Sequence, residues 1–259
     1  MLHEKISLRD NNDIYLNTYI VDDPLEQKRK RPIVVICPGG GYEFCSAREA
    51  EPIALAFNAA GFHAAVVYYS LKQLYPASLK DLSDAVCIVR DNAEKWQIDP
   101  DKVIVCGFSA GGHLAASLGI LWNSEPAVIR EDKKNRPNGM ILAYPVISSG
   151  THRHIGSIQN ITNNDRLLME KVSLENHVTA DCPPAFIWHS FNDDVVPVEN
   201  SIDFAAALAQ EKISTELHIF PNGPHGLSLA NEWVASDEKG IVTEVQPWLS
   251  MAVRWINNL

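Results

Sequence analysis

Gly107-Phe108-Ser109-Ala110-Gly111 puts a serine midway between two glycines, at a point where a strand gives way to a helix. The apolar run Val103-Ile104-Val105-Cys106 comes before it, and His113-Leu114-Ala115-Ala116 follows. A serine on such a turn stands clear of the chain and can act as a nucleophile. The flanking positions must be glycine because side chains there would collide. The opening helix offers N–H groups and the positive end of its dipole to a developing oxyanion. A serine that merely caps a helix is the plainer alternative. The strand–serine–helix context argues against it.

A second glycine run, Pro38-Gly39-Gly40-Gly41-Tyr42, follows the apolar segment 33–37. Three glycines let the backbone approach a substrate and turn N–H groups toward it. Neither phosphate-loop spacing, G-x-x-x-x-G-K-[ST] or G-x-G-x-x-G, is present. The run therefore reads as half of an oxyanion hole, with donors from Gly40 or Gly41 and from Ala110.

A nucleophilic serine needs a base, and the base needs an orienting acid. With a nucleophile of this kind the chain order is serine, acid, histidine. The segment 185–189 reads as a late strand, and Ser190-Phe191-Asn192-Asp193-Asp194-Val195-Val196-Pro197 leaves its end. Asp193 is favoured as the acid because it fits a D-x-x-V-P loop, and Asp194 then opens the next element. His225, in Pro221-Asn222-Gly223-Pro224-His225-Gly226 after the strand 217–220, is the expected base. His63, His189 and His218 lie in or beside strands and read as core or edge residues. His113, one turn into the serine helix, reads as packing. His152 and His154 could be two metal ligands, but no third is evident, and no metal site is expected.

The remaining pattern supplies a frame for these residues. Short apolar runs rich in Val and Ile at 33–37, 63–69, 103–106, 139–146, 185–189 and 217–220 read as buried parallel strands. Leu79, Leu82, Val86, Val89, Ala93 and Trp96 make one helix face, which Pro100 brings to an end. Further helices are expected at 49–60, closed by Gly61, and at 109–122, 199–212 and about 242–257. The segments 4–8 and 14–20 read as antiparallel edge strands joined at Asp10-Asn11-Asn12. Strand–helix alternation implies an α/β fold, a parallel sheet covered on both faces. The stretch 148–184 breaks the rhythm and reads as an insertion of short helices, a small cap within a single domain.

Composition narrows the function classes. The 259 residues are 46% hydrophobic and 21% charged, with a net charge of −10. That acidity argues against nucleic-acid binding. The basic run Lys28-Arg29-Lys30-Arg31 reads as a solvated loop. Five cysteines without C-x-x-C spacing suit free thiols in a reducing compartment. No apolar run is long enough to span a membrane, and a cytoplasmic location is expected.

With these residues in hand, the chain resembles the α/β-hydrolase superfamily over nearly its whole length. It is most similar to small acetyl-esterase and lipase-like members, the acetyl-xylan esterase or sugar-ester hydrolase type. The resemblance rests on Cys37-Pro38-Gly39-Gly40-Gly41-Tyr42, Ser46-Ala47-Arg48-Glu49, Tyr75-Pro76 and Asp99-Pro100. It rests also on Gly107 to Leu114, the Asp193 to Pro197 loop and Pro224-His225-Gly226. Many such proteins carry His where Pro38 stands, and His-Gly where His189-Ser190 stands. The resemblance implies an eight-stranded, mostly parallel sheet and hydrolysis of short acyl esters, with sugars as an alcohol component. The expected partner is a small-molecule ester. No cofactor is implied, and whether the chain forms a homodimer is left open. Tyr42, with Glu43, Arg48 and Glu49, follows the glycine loop and is placed to face substrate. Arg48 and Glu49 also fit an ordinary helix-start pair. Two other readings stand beside the esterase. One is an arylformamidase of the kynurenine type acting on an N-formyl group, against which Tyr42 weighs, since tryptophan often goes with that activity. The other is a catalytically silent binding protein on the same fold.

Overall fold

A computed structural model describes residues 1–10, 12–24 and 29–259. Asn11, in the expected first turn, and Lys28, in the basic run, lie outside them. Eight strands form one sheet: β1 (Lys5–Ser7), β2 (Tyr15–Tyr19), β3 (Arg31–Cys37), β4 (His63–Tyr68), β5 (Ile98–Phe108), β6 (Gly139–Ala143), β7 (Ala185–Ser190) and β8 (Thr215–Phe220). Their spatial order is β1-β2-β4-β3-β5-β6-β7-β8. The first two strands pair antiparallel, and β3 to β8 run parallel. Arg31, expected in the loop, already opens β3 and donates to the Gly61 carbonyl oxygen at 3.0 Å.

Along each central strand successive side chains serve opposite faces. Ile33, Val35 and Cys37 join the layer under α2 (Ala77–Asp91), α3 (Ala110–Leu121) and α6 (Glu199–Gln210). Val34 and Ile36 join the layer under α1 (Glu51–Ala59) and α7 (Trp248–Asn257). β5 repeats the alternation, with Val103 and Val105 on one side and Ile104, Cys106 and Phe108 on the other. Burial on both faces explains why these strands read as continuous apolar runs.

Two helices are shorter than their patterns suggest. α2 stops at Asp91, since Asn92 bonds its side chain back to the Ile88 carbonyl oxygen at 2.8 Å and Ile98 N–H closes onto the Ala93 oxygen. Trp96 still reaches the core from that turn. α7 starts at Trp248, not near 242, because Pro247 disfavours helical backbone before it. The insertion between β6 and β7 carries α4 (Ile155–Thr162) and α5 (Arg166–Lys171). All five cysteines are free, and four of them are buried. Among the described residues no helix is long and apolar enough to cross a membrane.

The chain steps outward from β3 to β4, then returns to place β5 on the other side of β3. Loops leaving the carboxyl ends of β3 and β5 therefore diverge, and a crevice opens between them.

Candidate active site

Ser109 sits in that crevice, between β5 and α3, with φ of 53°. This left-handed conformation is costly for a side chain other than glycine and holds only where packing enforces it. The enforcement comes from close backbone approach. A Cβ on Gly107 would lie 2.0 Å from the Gly111 oxygen, and one on Gly111 would lie 2.1 Å from the Cys37 oxygen. The second contact also seats the serine helix against the start of the glycine loop. Ser109 is 7% exposed.

His225 Nε2 lies 2.8 Å from Ser109 Oγ, and its Nδ1 lies 2.7 Å from Asp193 Oδ2. The carboxylate can only accept, so Nδ1 carries the ring proton and Nε2 is free to accept from the serine hydroxyl. Asp193 Oδ1 accepts the Val195 and Val196 N–H groups, each at 2.9 Å. A second imidazole also reaches Asp193. His189 Nε2 lies 3.3 Å from Oδ2 and 3.0 Å from the Val196 carbonyl oxygen, and its Nδ1 lies 2.7 Å from Ser201 Oγ. Burial alone would raise the Asp193 pKa, but hydrogen bonds from His189 and His225 outweigh it and hold the carboxyl well below its usual range. Asp194 is exposed and outside this network.

The glycine loop faces Ser109 across a cleft of about 580 Å³, lined in part by Gly40, Gly41, Arg48, Glu49, His154 and Val195. Gly40 and Gly41 have φ of 124° and 66°, a run that only glycine adopts easily. Among the described residues the N–H groups of Gly40, Gly41 and Ala110 donate to no protein acceptor.

Tyr42, expected to face substrate, is turned away from the cleft. It is 2% exposed, its hydroxyl lies 2.8 Å from His113 Nδ1, and its ring meets Tyr69 edge-on. Positive φ at Gly40, Gly41 and Tyr42 reverses the chain and drives the phenol into the core. His113 bridges that phenol to the Val172 carbonyl oxygen of the insertion at 2.9 Å, and burial lowers its pKa to about 4. His152 lies 3.3 Å from Asp203.

Three residues matter more than their sequence context suggests. Glu49 is no exposed helix-start partner of Arg48; it is 3% exposed. Its Oε2 accepts the Gly39 N–H at 2.8 Å, and its Oε1 accepts the Tyr144 hydroxyl at 2.7 Å. Tyr144 in turn accepts the Ser228 N–H at 2.9 Å and meets the His225 ring edge-on at 5.1 Å. Glu49 thereby ties the glycine loop to the histidine loop. A weak signal existed, since Glu49, in the short turn before α1, stands four residues before Ile53, which with Phe57 forms the buried face of that helix. The second is His189, whose position in a strand concealed its contact with the acid. The third is His154, which the insertion brings to the cleft. Glu43 and Arg48 do line the cleft, and Glu43 pairs with Lys72 at 2.6 Å.

Residues 13–208 match the BD-FAE family. An endo-1,4-beta-xylanase B of Butyrivibrio fibrisolvens is 39% identical over 212 residues, which are 78% of this chain and 33% of that protein. An acetylxylan esterase of Xylanibacter ruminicola is 30% identical over 255 residues, 94% of this chain and 49% of that protein. The chain thus spans a third to a half of the length of these curated relatives. An acetyl ester-xyloside bifunctional hydrolase from Caldicellulosiruptor lactoaceticus has a crystal structure that superposes with a TM-score of 0.85 at 34% identity, covering 98% of this chain and 96% of that one. With an eight-stranded sheet, a serine on the turn after β5 and these relatives, the chain belongs to the BD-FAE family of α/β hydrolases.

Proposed function

We propose that the chain is a serine esterase that cleaves short acyl esters, acetyl esters foremost, through an acyl-enzyme on Ser109. The hydrogen-bonded line Ser109–His225–Asp193 is the observation that carries this reading. In the scheme His225 takes the Ser109 proton as Oγ attacks the ester carbonyl. Asp193 keeps the imidazole in the required tautomer and stabilises the imidazolium. The N–H groups of Gly40, Gly41 and Ala110 receive the oxyanion, each lowering the barrier by about 3 kcal/mol. His225 then protonates the leaving alcohol, and water releases the acyl group by the reverse steps. Proton and acyl transfer use only groups of this chain, so the scheme requires no cofactor.

A sugar hydroxyl as the alcohol component is supported by the names of the relatives and by an open cleft that offers both polar and apolar groups. The segment 148–184 is read as a small cap within a single domain. His154 faces the cleft from it, and Asn160 Nδ2 donates to the Gly41 oxygen at 2.8 Å. Five free thiols support a cytoplasmic location.

The test is hydrolysis of p-nitrophenyl acetate by the wild type and by Ser109→Ala. The variant should lose kcat by a factor on the order of 10⁶. Near-normal turnover in a folded Ser109→Ala protein would sink the assignment. An inert wild type would shift weight to an N-formyl amide substrate or to a silent site, and labelling by a fluorophosphonate would separate those two.

A further inference from the structure

His154 is the N-cap of α4, the first helix of the insertion, and it lines the cleft with Ser109 and His225. Ser157 engages its Nδ1 twice. The Ser157 backbone N–H donates to it at 3.3 Å, and Ser157 Oγ lies 2.7 Å away. A backbone N–H can only donate, so Nδ1 is the acceptor and the ring proton sits on Nε2. No residue among those described accepts from Nε2, and Nε2 is not one of the buried polar atoms left unpartnered. It is therefore accessible, on a side chain that lines the cleft. The ring carbon between the two nitrogens, Cε1, lies 3.9 Å from the point where a Cβ on Gly41 would stand, which sets the donor beside the glycine loop. Burial, and then the neighbouring His225, lower the His154 pKa against an opposing pull from Asp193, so the ring is a neutral donor at pH 7.

A small acyl group gives such a donor little to bind. The only oxygen of an acetyl group is the ester carbonyl, and in the scheme above that oxygen goes to the glycine loop and Ala110. Any further acceptor must belong to the alcohol half. We infer that His154 is a specificity-determining residue whose Nε2–H donates to a hydroxyl oxygen on the alcohol half of the ester, so that the site prefers esters of polyhydroxy alcohols to those of plain alcohols. Phe44 and Val195 add apolar faces to the same cleft, which suits an alcohol with both C–H and O–H surface. The inference rests on the short-acyl esterase reading and goes beyond it.

The test compares acetate release from glycerol monoacetate and from propyl acetate, two esters that differ in the hydroxyls of the alcohol. The measured quantity is the ratio of their kcat/KM values in the wild type, His154→Phe, His154→Gln and Ser157→Ala. The ratio should fall about tenfold in His154→Phe, the loss expected for one hydrogen bond. It should recover in part in His154→Gln, which keeps a side-chain N–H. It should change by less than about threefold in Ser157→Ala, because the backbone N–H of that residue still donates to Nδ1 and keeps the ring proton on Nε2. A ratio unmoved by His154→Phe, or an equal loss on both esters, overturns the inference while leaving the esterase reading intact. A wild type inert on both esters fails the esterase reading and takes the inference with it. Nitrogen-15 NMR of the histidine side chains supplies a readout independent of turnover and of any variant's folding. The Nε2–H tautomer at His154 is expected, and the Nδ1–H tautomer would overturn the inference.

Discussion

Ser109 and Asp193 lie on opposite sides of one histidine and are held by opposite means. On the serine side the backbone does the positioning. Ser109 takes a φ of 53°, and Gly107 and Gly111 permit backbone approaches so close that a Cβ on either would lie 2.0 or 2.1 Å from a main-chain oxygen. On the acid side the backbone is ordinary and donors do the positioning. Two N–H groups fix one carboxylate oxygen, and His225 and His189 flank the other. The first site depends on atoms that are missing, and so it fails when atoms are added. The second depends on donors that are present, and so it fails when an acceptor becomes a donor.

That difference can be attacked from either side. The largest effect should come from Asp193→Asn, which turns an NH₂ group toward His225 and imposes the wrong tautomer. A loss in kcat of about 10⁴ is expected. Asp194→Asn should change kcat by less than about threefold, since surface substitutions away from the network have small effects. The reverse ranking would reassign the acid. Gly111→Ala adds a methyl group 2.1 Å from one main-chain oxygen and 2.5 Å from the next. It should destabilise the fold by more than about 3 kcal/mol in urea unfolding. A cost under about 1 kcal/mol would mean that the serine turn is looser than described. Glu49→Gln should cost far less activity than Asp193→Asn, because an amide keeps one acceptor oxygen and presents NH₂ where the other stood. A decrease in kcat of about tenfold is expected, with KM little altered, as the Gly39 N–H or the Tyr144 hydroxyl loses its acceptor. Unchanged kcat with lowered stability would restrict Glu49 to holding the fold.

The same contrast explains what could be read from the chain. The serine side was legible because steric exclusion writes itself into composition: three glycines after β3 and two around Ser109 leave few alternatives. The buried strands were legible because both faces are apolar. Asp193 and His225 followed from their loops. The residues that tune them did not, because their partners are distant in sequence. Glu49 finds Tyr144 95 residues away, and His113 meets Tyr42 across 71. Tyr42 was placed on the wrong side because a run of positive φ reverses the direction of the side chain, and nothing in the residue type announces that reversal. The end of α2 was overestimated because apolar spacing persists to Trp96 while the side chain of Asn92 competes for the helix backbone.

The thiols of this chain carry a practical consequence. Burial raises the pKa of Cys37, Cys106 and Cys182, and pushes Cys45 and Cys87 up to about 11. The thiolate is the form that alkylating reagents attack, and at pH 7 a thiol of that pKa is ionised in roughly one molecule in 10⁴. Burial thus slows the reaction of these thiols with maleimides. Phe191 is 66% exposed and lies two residues before Asp193. Phe191→Cys would supply one exposed, reactive handle on the loop that carries Asp193, with no native cysteine removed.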